Sequence, residues 1–124
     1  MPEAIHIAVI DDTPSVLQIT ALMLEDVGFQ AKTYSNASLF MNSLQHEWPS
    51  LALLDLMMPG MNGIECLERL SVLGVAFPVL IYTAFDDAQC REKALALGAK
   101  AYVLKDELLS RTEEIVSQYV CPSV

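Results

Sequence analysis

The chain has 124 residues, 53% of them hydrophobic and 19% charged, and its 7 basic against 16 acidic residues give a formal charge of −9. This length and apolar content describe one domain with a single hydrophobic core and exclude a disordered acidic tail. The negative charge opposes contact with phosphate backbones, so no direct nucleic-acid binding is expected, and no apolar run reaches the roughly 20 residues that span a bilayer.

Met1-Pro2-Glu3 lacks the basic segment of a secretory signal, which predicts a cytoplasmic protein. Cys66, Cys90 and Cys121 are odd in number and scattered, without zinc or paired redox spacing, and read as reduced thiols. His6 and His46 read as a strand-end and a helix-end histidine.

In chain order, Ile5 to Ile10 is a β-branched run and the first strand, ending at Asp11-Asp12. Thr13-Pro14 offers a capping hydroxyl and a first-turn proline to a helix striped with Val16, Leu17, Thr20, Met23, Leu24 and Val27, stopped by Gly28. Phe29 to Tyr34 is a more polar strand suited to a sheet edge. Ser35 and Asn36 can cap a second helix carrying Leu39, Phe40 and Leu44, which Trp48-Pro49-Ser50 breaks. Leu51 to Asp55 reads as a strand covered on both faces, and Pro59, Gly60 and Gly63 make the segment after it a loop. A third helix carries Ile64, Leu67 and Leu70 as far as Gly74. Phe77 to Thr83 is the fourth strand, Asp86-Asp87 opens a helix through Leu97, and Ala101 to Leu104 is the fifth strand. Glu107 to Tyr119 is the last helix, with Leu108, Leu109, Ile115 and Val116 on its buried side. Five strands alternating with five helices over residues 1–124 predict a single α/β domain with a doubly wound parallel sheet.

A parallel sheet gathers all its strand C-termini at one edge. Strand one brings Asp11 and Asp12, strand three Asp55, strand four Thr83 and strand five Lys105. Each alone has an ordinary reading: helix caps for the acids, a strand end for Thr83, a solvated amine for Lys105. Together they predict a ligand site at the sheet edge. Carboxylates about 4 Å apart repel by roughly 4 kcal/mol at an effective dielectric near 20. Three of them stay ionised only around a cation, and hard oxygens of this kind suit Mg²⁺. With a hydroxyl and an ammonium beside them, the constellation fits phosphoryl transfer with a carboxylate nucleophile.

This ordered set resembles the receiver domain of two-component response regulators, including the chemotaxis regulators. The resemblance covers essentially the whole chain: Asp11-Asp12, Asp55-Leu56-Met57-Met58-Pro59-Gly60-Met61-Asn62-Gly63, Thr83-Ala84 and Lys105. It implies a flavodoxin-like strand order of 2-1-3-4-5. It also implies that Asp55 accepts a phosphoryl group from a phosphohistidine on a histidine kinase or histidine phosphotransfer protein. By the same resemblance, Asp12 and Asp55 hold Mg²⁺ with the backbone carbonyl of Met57, and Asp11 acts through water. Thr83 and Lys105 meet the phosphoryl group, and Tyr102 is the switch aromatic that turns inward as Thr83 moves. Met57, Ala84 and Phe85 flank the approach to the phosphoryl group. The surface of the fourth helix, fifth strand and last helix is expected to carry the response, and a phosphorylation-dependent dimer stays open. The family usually follows its lysine with proline; here Asp106 stands there, so a trans Lys105-Asp106 peptide is expected, with Asp106 available as a helix cap.

Two other readings share the fold. A Mg²⁺-dependent phosphatase-like enzyme with an aspartyl nucleophile usually places a second acid two residues on, where this chain has Met57. A flavin or nucleotide module needs a glycine- or hydroxyl-rich loop after strand one, where Asp11-Asp12 repel phosphate. The downstream target, and whether the chain stands alone or belongs to a longer protein, stay open.

Overall fold

A computed structural model describes residues 5–120. Met1-Pro2-Glu3 and Cys121, on which two of the readings above rest, lie outside the described residues. The strands are β1 (His6–Ile10), β2 (Gln30–Tyr34), β3 (Leu51–Asp55), β4 (Val79–Thr83) and β5 (Ala101–Leu104). They form one parallel sheet in the order β2-β1-β3-β4-β5, as expected. Between and after them run α1 (Pro14–Asp26), α2 (Ala37–Ser43), α3 (Gly63–Leu73), α4 (Ala88–Ala96), α5 (Lys105–Ser110) and α6 (Thr112–Val116).

Strand alternation sorts the core into two layers. Ala8, Ile10, Ala52, Leu54, Val79 and Ile81 pack with Phe40 of α2, Cys66, Leu67 and Leu70 of α3, and Ala94 of α4. Ile7, Val9, Leu51, Leu53, Leu80 and Val103 pack with Leu17 and Leu24 of α1, Leu108 of α5, and Ile115 and Val116 of α6. All five residues of β3 and all five of β4 are buried, the mark of central parallel strands, whereas β2 is half exposed at the edge.

The helix boundaries have local causes. Asn36 accepts the N–H of Leu39 at 2.8 Å, and Asp87 accepts that of Cys90 at 3.0 Å. At α3, Asn62 and Glu65 close a reciprocal capping box. Gly74, with φ of 68°, ends α3 in the left-handed conformation that glycine adopts without a Cβ clash. The last helix departs from expectation: it is two helices, broken at Arg111, whose φ and ψ are −134° and 36°. The Ser110 hydroxyl bonds the Asp106 carbonyl at 3.0 Å and the Thr112 hydroxyl the Leu108 carbonyl at 2.7 Å. Such back-bonding to the preceding turn bends helices, and two flank the break. Cys66 and Cys90 are free thiols, and burial pushes the Cys66 thiol up to about 12. Among the described residues, no helix is long and apolar enough to cross a membrane.

Candidate functional site

Register assembles the site. Ile10 lies opposite Leu54, Asp55 opposite Tyr82, and Thr83 opposite Leu104. The carboxyl ends of β1, β3, β4 and β5 are therefore level. Asp11 and Asp12 follow β1, Asp55 closes β3, Thr83 closes β4, and Lys105 begins α5 directly after β5. The alternation that turns Val9, Leu53 and Leu80 toward α1 and α5 carries on to Asp11, Asp55 and Tyr82, two residues further along each chain.

The structure brings Asp11, Asp12 and Asp55 together, with one carboxylate oxygen of each within 4.8 Å of the others. Asp11 and Asp55 are buried and Asp12 is exposed. Asp11 is held on both oxygens. Its Oδ1 accepts the Thr13 N–H at 2.9 Å, and its Oδ2 accepts the Tyr82 hydroxyl at 2.9 Å and pairs with Lys105 Nζ at 2.8 Å. Lys105 Nζ stands 3.6 Å from Asp55 Oδ2, and the Met57 N–H reaches Asp55 Oδ1 at 3.4 Å. The Met57 side chain is exposed. The expected Thr13 hydroxyl cap is absent: the Thr13 carbonyl instead accepts the N–H groups of Val16 and Leu17, and Asp11 fixes the Thr13 amide.

The charges explain the protonation of the site. Burial first, and the Asp11 carboxylate second, push the Asp55 carboxyl up from 3.8 to about 6, against the pull of Lys105 and the Met57 N–H. Burial and the neighbouring Asp11 push the Tyr82 phenol up as well, so it remains a protonated donor. Asp11 and Asp55 share one ammonium, that of Lys105, and the exposed Asp12 adds a third carboxylate beside them. Hard carboxylate oxygens in such a pocket fit a hard dication.

Thr83 is fully buried, and its hydroxyl accepts the Phe85 N–H at 3.2 Å. Tyr102 is buried, and its hydroxyl donates to the Phe85 carbonyl at 2.7 Å. Phe85 thus ties Thr83 to Tyr102 through its own backbone. Arg91 lies over the Tyr102 ring, 5.1 Å from its centroid, and is itself paired with Asp86 at 3.0 Å. The side chains of Ala84 and Phe85 are exposed.

Two loop details correct the sequence reading. Gly63 is the first residue of α3, not a loop residue with positive φ. A Cβ on it would stand 2.5 Å from the Asp55 carbonyl oxygen and 2.8 Å from Leu56 Cα, so glycine is required by the close approach of α3 to the end of β3. The Lys105-Asp106 peptide is trans, as expected. Asp106 is not the helix cap, however. Leu104 takes the cap position, and the Glu107 carboxylate accepts its N–H at 3.4 Å.

The family described as the response regulator receiver domain matches residues 7–117. The chain belongs to that family. The receiver domain is 32% identical over 120 residues to the phosphate regulon transcriptional regulatory protein PhoB of Escherichia coli, covering 90% of this chain and 51% of PhoB. It is 31% identical over 117 residues to the transcriptional regulatory protein FixJ of Bradyrhizobium diazoefficiens, covering 91% of this chain and 57% of FixJ. The chain spans about half the length of the curated relatives it matches. Among solved structures, a response regulator receiver protein from Burkholderia phymatum is 37% identical with a TM-score of 0.81, over 96% of this chain and 97% of that one. The receiver domain is a regulatory module of two-component signalling, and the phosphatase-like enzyme is not favoured.

Tyr82 escaped the sequence reading because it sits inside an apolar strand. Its signal is the pairing with Asp55, which becomes legible only once the β3–β4 register is known.

Proposed function

We propose that residues 1–124 act as a single receiver unit in which Asp55 accepts a phosphoryl group from a phosphohistidine on a histidine kinase or histidine phosphotransfer protein. One observation carries this reading: a buried aspartate at the sheet edge, with two further acids within 4.8 Å and a lysine 3.6 Å away. An Asp55 oxygen attacks the phosphorus, the phosphorus–nitrogen bond breaks, and the histidine leaves with that electron pair. Asp12 and Asp55, the Met57 carbonyl, and Asp11 through water would hold Mg²⁺, which supplies positive charge to the phosphoryl oxygens when bound. Lys105 pairs with a phosphoryl oxygen as a compact cation.

Thr83 is the switch. Its hydroxyl donates to the phosphoryl group and gives up the Phe85 N–H it now accepts. Phe85 is also tied to Tyr102, so the change passes through a single residue to α4, β5 and the two helices α5 and α6 that follow. Phosphorylation shifts an equilibrium between two arrangements of that surface, because one of them binds the phosphoryl group better. The surface serves a downstream target or a phosphorylation-dependent dimer. The unit works in the cytoplasm, and it transfers a phosphoryl group to itself without turning over an outside substrate.

The reading is tested with a small-molecule phosphodonor and Mg²⁺. One phosphoryl group per chain, with no continuing donor consumption beyond the decay of that adduct, supports it. Sustained hydrolysis of added phosphoesters contradicts it.

A further inference from the structure

The hydroxyl of Tyr82 is a polar group at the sheet edge to which phosphoryl transfer assigns no role. The ring is buried on the side packed by α1, α5 and α6, opposite Asp55 in register. The hydroxyl donates to Asp11 Oδ2 at 2.9 Å, and that same oxygen pairs with Lys105 Nζ at 2.8 Å. Lys105 Nζ also lies 5.3 Å from the centroid of the Tyr82 ring. One buried carboxylate oxygen therefore has two donors of different character. Tyr82 is stiff and anchored in the core. Lys105 is a flexible four-carbon stem, partly exposed, with a second carboxylate at 3.6 Å.

We infer that Tyr82 is a positioning residue for phosphoryl transfer, whose hydroxyl keeps Asp11 Oδ2 bonded so that Lys105 can leave it for the phosphoryl group on Asp55. The inference rests on the phosphoacceptor reading of Asp55. A buried acceptor stripped of every donor incurs its full desolvation cost, whereas one that keeps a partner does not. With the hydroxyl in place, the departure of Lys105 leaves Asp11 Oδ2 satisfied. Without it, Lys105 is the only protein donor left to that oxygen among the described residues, and every step that draws Lys105 toward Asp55 leaves a buried carboxylate oxygen with no side-chain or backbone donor. The hydroxyl therefore contributes more to the phosphorylated state than to the free one, and only such a difference alters the equilibrium between them.

Tyr82→Phe removes the oxygen and keeps the ring that packs the core and faces Lys105. Mg²⁺ alone, and Mg²⁺ with beryllofluoride as a stand-in for the phosphoryl group, are titrated into the full chain of parent and variant, with backbone amide shifts as the readout. Unchanged shifts remote from the site establish that both proteins are folded. The expected result is equal binding of Mg²⁺ alone and a beryllofluoride adduct weakened about tenfold in the variant, the size of one lost hydrogen bond to a charged group. A purely structural role would weaken both ligands together, and that result overturns the inference. So does an adduct of equal affinity in the two proteins. A parent that takes up no beryllofluoride overturns the phosphoacceptor reading and this inference with it; uptake by the parent with no loss in the variant overturns this inference alone.

Discussion

Lys105 pairs with Asp11 at 2.8 Å, closer than its 3.6 Å approach to Asp55. This lysine is the one ammonium within ion-pairing distance of Asp11 and Asp55 among the described residues. Breaking a buried pair from one side leaves the other charge uncompensated, at a cost of about 3–5 kcal/mol when burial is complete. Lys105 is partly exposed, so Lys105→Ala is expected to lower stability by about 2 kcal/mol, with Mg²⁺ recovering part of the loss. Thermal unfolding with and without the ion measures both effects. A variant as stable as the parent contradicts the pairing.

Asp55 makes the metal-free fold sensitive to pH. Its carboxyl is raised from 3.8 to about 6, chiefly by burial and by Asp11. Between about pH 4 and pH 6 the folded chain keeps a proton that the unfolded chain has lost, so this group's contribution to stability falls as pH rises through that window. Asp55→Asn removes the titration. It is expected to be more stable than the parent at pH 7, by about 1–2 kcal/mol, with a flatter profile between pH 4 and 6. Denaturant unfolding in chelator across that range decides the matter, and a less stable variant at pH 7 contradicts it.

Asp12 is the exposed member of the acidic trio, and its carboxylate reaches the other two from the solvent side. Few protein ligands face a strongly hydrated ion, so Mg²⁺ is expected to bind weakly without a phosphoryl group. Asp12→Ala should leave the fold intact and reduce the rate of phosphorylation by about tenfold or more, the scale of losing one ligand's worth of metal affinity. A variant that labels as fast as the parent removes Asp12 from the metal site.

Met57 and Phe85 expose apolar side chains on the loops after Asp55 and Thr83. Hydrolysis of an aspartyl phosphate needs a water held in line, and catalysis there is largely positioning. Neither side chain orients water, so the phosphorylated state is expected to be long-lived and to end through a partner phosphatase or back-transfer to histidine. Replacing both, Met57→Asn with Phe85→Glu, should shorten the lifetime, as measured by decay of the phosphorylated form. Decay no faster than in the parent rules this out.

Most of the fold was legible because β1, β3 and β4 are apolar runs that only a twice-covered parallel sheet accommodates, and because Gly28 and Gly74 mark the ends of two helices. The acidic trio and Lys105 were legible for the same reason: a parallel sheet places every strand end at one edge. Side-chain competition for local hydrogen bonds was not. Nothing in the spacing from Glu107 to Tyr119 announces that Ser110 and Thr112 bond backward and break the helix at Arg111. Contacts that depend on register were hidden too. Tyr82 reads as strand filler until it is set opposite Asp55, and Gly63 reads as a loop glycine until the Asp55 carbonyl is found where its Cβ would stand.

The most direct test of the account is the location of the phosphoryl group. The chain is incubated with a small-molecule phosphodonor and Mg²⁺, trapped by borohydride reduction of the acyl phosphate, and mapped by peptide mass spectrometry. The account predicts a single modified residue, Asp55, and no modification in Asp55→Asn. Modification of Asp11 or Asp12 in the parent, or undiminished uptake by Asp55→Asn, would contradict it.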